Sequence, residues 1–100
     1  MIPPSRPIRL RAIARWMKDT DPLAAKASPE VLAPRVEGLD EQMMEAFGAS
    51  EDSLMNKMMD ARTWGTEDGL QSFRMARLTM WQEVVEEFLP PLYSDLESED

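Results

Sequence analysis

From Thr66 to Leu89 the chain reads TEDGLQSFRMARLTMWQEVVEEFL, a run with one helical period and a clear signal at each end. Thr66 suits an N-cap, because its hydroxyl accepts a hydrogen bond from an otherwise orphaned amide of the first turn. Glu67 and Asp68 add negative charge beside that positive helix end. Pro90 and Pro91 lack amides, and their rings clash with the preceding turn, so the helix should stop near Leu89. The span is about 23 residues, or roughly 34 Å at 1.5 Å per residue.

At 100° per residue, Leu70, Phe73, Leu78, Met80, Trp81, Val84, Val85, Phe88 and Leu89 fall on one broad side. Ser72, Thr79, Glu83, Glu86 and Glu87 fall opposite. A stripe this wide needs more than one neighbour to cover it. Arg74 and Arg77 project into the apolar arc. Their forked donors can hold a carboxylate on another helix or a partner. Alternatively, their stems pack while their heads reach water, with Arg77 lying over Phe73 or Trp81.

The chain has 100 residues, the size of one domain, and no cysteine or histidine. It can therefore build a core without disulfides, and it lacks the commonest metal ligands, general base and pH switch. No run reaches the ~20 apolar residues of a membrane span. Arginines interrupt the N-terminus where a signal peptide would have its apolar block. A cytoplasmic protein is expected. Nine methionines point to adaptable packing in the core or at contact surfaces.

Net charge is −8, unevenly placed: residues 1–18 carry Arg6, Arg9, Arg11, Arg15 and Lys18 and no acid, whereas the rest holds six basic and nineteen acidic side chains. A basic arm thus leads an acidic body. The body as a whole should repel nucleic acid and anionic lipid.

Ser5 and Pro7 open a first helix in which Leu10, Ile13, Ala14 and Met17 follow the i, i+3, i+4, i+7 pattern beside a face of Arg11, Arg15 and Lys18. That cationic helix either meets phosphates or headgroups or neutralises the acidic body from within. Trp16 flanks the stripe as a core contact or an anchor. Pro22, Pro29 and Pro34 make residues 19–38 a proline-punctuated connection of short turns, one from Asp21 to Lys26 and one opened by Ser28. Asp40 then caps a helix to Phe47, stopped by Gly48, and Ser50 caps another through Leu54, Met55, Met58 and Met59 to about Arg62. Residues 39–89 thus hold three helices.

The expected fold is all-α: a small single-domain bundle of about four to five helices over 1–91, with one long C-terminal helix and an acidic tail at 92–100. Sustained period-two alternation is absent, so no sheet is expected. The glycines are isolated, so no phosphate loop exists. The acidic segments lack calcium-loop spacing, and the carboxylate pairs Glu41/Glu45 and Glu83/Glu87 lie on expected solvent faces. No catalytic residue, cofactor or metal is assigned, and the chain is not expected to be an enzyme.

Glu83, Glu86, Glu87, Asp95, Glu97, Glu99 and Asp100 put seven acids and no base into residues 83–100. Such a surface either solvates the protein or occupies a basic, nucleic-acid-binding site on a partner protein. The expectation is a non-enzymatic protein-binding module. Its partner-binding acids are Glu83, Glu86, Glu87, Asp95 and Glu97, and its general character is that of small inhibitors carried by phages and mobile elements. The alternative is an assembly subunit that contacts copies or a larger, virion-like particle through its methionine faces and its basic arm (Arg6, Arg9, Arg11, Arg15, Lys18). Direct nucleic-acid binding would run through that arm alone, a membrane partner is not expected, and self-association is open.

Overall fold

The structure is a computed structural model that describes residues 2–90. Among these the fold is all-helical, in the order α1 (Arg6–Thr20), α2 (Pro22–Lys26), α3 (Pro29–Asp60) and α4 (Glu67–Phe88). Two of the expected caps form: Asp21 Oδ1 accepts the Leu23 amide at 3.0 Å, and Thr66 Oγ1 accepts the Gly69 amide at 2.9 Å. Ser5 and Ser28 occupy cap positions without a side-chain capping bond, and both helices lean instead on a proline in the first turn.

The largest departure from the sequence expectation is α3. A proline-punctuated connection to residue 38, a helix from Asp40 to Phe47 and another from Ser50 are replaced by one helix of 32 residues with Pro34 inside it. Three helices over 39–89 accordingly become the end of α3 and α4. A proline inside a helix costs about 3 kcal/mol and a glycine about 1. Against that, Leu32, Val36, Asp40, Met43 and Phe47 are all buried, at steps of four, four, three and four residues. That is one continuous helical stripe. Burying each large apolar member contributes about 1.5–3 kcal/mol, so together they outweigh the breakers. Breaking the helix at Gly38 would separate Leu32 and Val36 from Asp40, Met43 and Phe47 and split the stripe.

α3 is the spine. α1 packs on its first half and α4 on its second, while α2 packs on α1. Contacts between α3 and α4 pair rising with falling numbers, Phe47 with Trp81 and Glu51 with Arg77, so the two helices are antiparallel. The core joins Ile13 and Met17 of α1, Ala24 of α2, Leu32, Val36, Met43 and Phe47 of α3, and Trp81 and Val84 of α4. Trp81 meets Phe47 edge-on, with ring centres 5.9 Å apart. Trp16 is a tie between elements: its Nε1 donates to the Pro90 carbonyl at 2.9 Å, fastening α1 to the end of α4.

The α3–α4 turn closes without a glycine at the helix end. The Arg62 amide reaches the Met59 carbonyl at 3.1 Å and the Thr63 amide the Met58 carbonyl at 2.9 Å, with Arg62 in the left-handed region at φ 58°. This is a Schellman end with arginine where glycine is usual. Gly69 is needed for a different reason: a Cβ there would fall 2.0 Å from the Thr63 carbonyl oxygen. Overall extents of 52 × 33 × 18 Å leave a slab about two helices thick.

Candidate protein-binding surface

Glu83, Glu86 and Glu87 are all exposed on α4. At 100° per residue Glu83 and Glu86 stand well away from Trp81, Glu87 stands one turn from Val84 near the helix end, and Glu83 borders a groove with Ser50, Leu54 and Lys57 of α3. None of the three glutamates pairs with a cation among the described residues, where the ion pairs are Arg6–Glu37, Arg9–Asp40, Arg15–Asp19, Arg35–Asp21 and Arg77–Glu51. Glu86 and Glu87 stand in the last turn of α4, which carries no basic residue. The exposed carbonyls there give that end partial negative charge, so both carboxylates stand where the helix disfavours them. Asp95 and Glu97 lie outside the described residues, as does the rest of the 92–100 tail.

The five basic positions of the N-terminal arm divide. Arg9 is anchored inside the fold: its Nε donates to Asp40 Oδ1 at 2.7 Å and its Nη2 to Asp40 Oδ2 at 3.1 Å, while Nη1 donates to the Pro4 carbonyl at 2.8 Å. The side chains are 13 % and 5 % exposed. Arg9 is held above its ordinary pKa by the hydrogen bonds to Asp40 and by that carboxylate's charge, with burial pulling the other way. Arg6 reaches Glu37 on α3 at 3.6 Å across an exposed surface, and Arg15 pairs weakly with Asp19 on its own helix at 4.0 Å. Two of the arm's cations are thus turned onto α3.

Arg11 and Lys18 have no ion-pair partner among the described residues. They line a groove of about 330 Å³ between α1, α2 and α3, with Leu10, Ala14, Leu32 and Val36 among its apolar walls.

Asp40 was legible only as a helix cap, yet it is the one buried charged residue among those described. The signal lay in its spacing, four after Val36 and three before Met43, which puts an acid inside an apolar stripe and demands a cation from another element. Arg77 combines both expectations. It crosses to α3, with Nε 2.7 Å from Glu51 Oε2, and its guanidinium lies 5.6 Å from the Phe47 ring centre and 5.9 Å from that of Phe73. Its Nε–H is not aligned for a directed hydrogen bond, so the link to Glu51 is charge attraction. Of the methionines considered as a contact face, Met58 is buried, Met55 half-buried and Met59 exposed.

Among the described residues no three acidic side chains gather as a metal site, and no helix is long and apolar enough to cross a membrane. Compared with protein-family models, curated proteins and solved structures, the chain matches none.

Proposed function

We propose that this protein is a non-enzymatic binding module whose acidic α4 surface, centred on Glu83, Glu86 and Glu87, occupies a basic, nucleic-acid-binding site on a cytoplasmic partner protein. The observation that carries this reading is the position of those carboxylates. They are exposed, have no cation partner among the described residues, and two of them stand at the helix end whose dipole opposes them. Nothing in the packing of the described residues requires acids there. Residues that work against local stability without a structural return are where a use outside the fold is expected. Spaced carboxylates on a rigid helix present charge to a basic groove much as phosphates do, giving fast association and strong salt dependence.

The test is a triple reversal, Glu83→Lys, Glu86→Lys and Glu87→Lys. Lysines at a helix C-terminus suit the dipole, so the variant should melt no lower than the parent. Immobilised parent protein should capture a basic protein from a lysate of the source cells, release it with salt, and lose it to competing duplex DNA. Capture of the same protein by the triple variant would overturn the proposal.

A further inference from the structure

We propose that a second copy of this chain docks antiparallel against the bare flank of α4 formed by Leu70, Arg74 and Leu78. These residues are four apart and share one line along the helix. Trp81 and Val85 continue the line one and two turns on. There it is covered: Trp81 is buried, and Val85 and Phe88 pack against the core that α1 completes. Nearer the turn, no helix among the described residues covers it. Leu70 is 42 % and Leu78 40 % exposed, and Trp64, stacked edge-on against Phe73, is 39 % exposed. One stripe therefore runs the length of α4, and the described residues supply a cover for half of it. An apolar patch of this kind, bordered by charge, has the anatomy of an interface.

Charge identifies the occupant. Glu67 and Arg74 are both exposed and stand on either side of Leu70. Neither has an ion-pair partner among the described residues. Seven residues apart on one helix, they are separated by about 10 Å along its axis and do not meet each other directly. A two-fold axis crossing α4 between Leu70 and Gln71 solves both needs. It sets Glu67 opposite Arg74 of the partner subunit and repeats the pair in reverse, brings the two Leu70 side chains together, and lays Leu78 beside Trp64 of the partner subunit. This is the self-complementarity that an isologous contact requires. The surface is separate from Glu83, Glu86 and Glu87, so the dimer does not depend on the partner-binding proposal and leaves those acids free.

Analytical ultracentrifugation of the whole 100-residue chain, from about 1 µM to about 1 mM, tests the idea. The expected result is a reversible shift from 11.4 kDa to twice that mass. Arg74→Glu, Glu67→Arg and Leu78→Glu should each weaken association about tenfold or more, since each puts like charge or a bare carboxylate into the contact. All three positions are exposed, so helix content by circular dichroism should be unchanged. The double variant Glu67→Arg/Arg74→Glu restores the pairing and should recover association to within about threefold of the parent. A chain that stays monomeric throughout would overturn the proposal and leave the flank to a different protein. A dimer indifferent to Arg74→Glu and Leu78→Glu, or a charge swap that recovers nothing, would overturn it equally.

Discussion

The two ends of the α3–α4 pair are built from the same kind of amphipathic helix and bury different shares of α4, although Ile8, Leu23 and Val31 are exposed at the end with α1 and α2 as well. At the end that carries α1 and α2, Ile13, Met43, Phe47, Trp81 and Val84 are buried, and the charged pair Arg9–Asp40 is enclosed with them. At the turn end two helices meet among the described residues. There Met58 and Gly69 are buried, while Met59, Trp64, Leu70, Met75 and Leu78 stay exposed. The difference teaches that amphipathicity sets what a helix offers, whereas the number of neighbours sets what it buries. Two helices in contact cover one narrow seam, and a stripe more than about 100° wide needs a third.

The sharpest way to break this comparison is to empty the core end. Phe47→Ala removes the ring that Trp81 and Arg77 both contact and should destabilise by about 3–5 kcal/mol. Leu70→Ala, at concentrations where the chain is monomeric, should cost under about 0.5 kcal/mol. Urea denaturation measures both, and equal losses would mean that the two ends do not differ. In native-state hydrogen exchange, the amides of α3 after Ser53 and of α4 before Ala76 should open before those near Phe47 and Trp81.

Asp40 comes next in size. Asp40→Ala leaves Arg9 facing a site with no carboxylate and should cost about 2–4 kcal/mol, discounted from a fully buried pair because Arg9 is partly exposed. Replacing both, Arg9→Met with Asp40→Leu, should fall within about 1 kcal/mol of the parent, because the desolvation cost goes with the pair. If the double variant is as unstable as the single one, packing rather than charge decides this site.

The smallest effects come from glycines, and their sign should reverse along the chain. Gly38→Ala and Gly48→Ala, with nothing within 4 Å of the added methyl, should each stabilise α3 by about 0.5–1 kcal/mol. Gly69→Ala should destabilise by about 1–3 kcal/mol, because its methyl meets the Thr63 carbonyl and the capping Thr66 hydroxyl. A melting series over the three variants reads the reversal directly.

How much was legible differs by element. Thr66, the first-turn acids and the double proline bounded α4 correctly, because caps and proline act through covalent geometry within a few residues. Asp21 and Pro22 opened α2 for the same reason. The Asp40 reading failed because an aspartate before a helical pattern serves equally as a cap or as a buried acid, and only a cation arriving from another element decides between them. Arg77 was legible as an intrusion into an apolar arc, but its aromatic contacts come partly from α3, beyond the reach of any local pattern. The exposed acids Glu83, Glu86 and Glu87 were legible because a residue opposite the apolar stripe faces outward whatever covers that stripe.

The sequence alone determined the helical class, the ends of α4 and the outward acids, since these follow from backbone chemistry and a period of 3.6 residues. That Pro34, Gly38 and Gly48 lie inside one helix, that Arg9 belongs to Asp40, and that Leu70 and Leu78 stay exposed among the described residues came from the tertiary structure. Each of these depends on burial free energy summed over residues far apart in the chain, and that sum exceeds the local cost of a proline or a glycine.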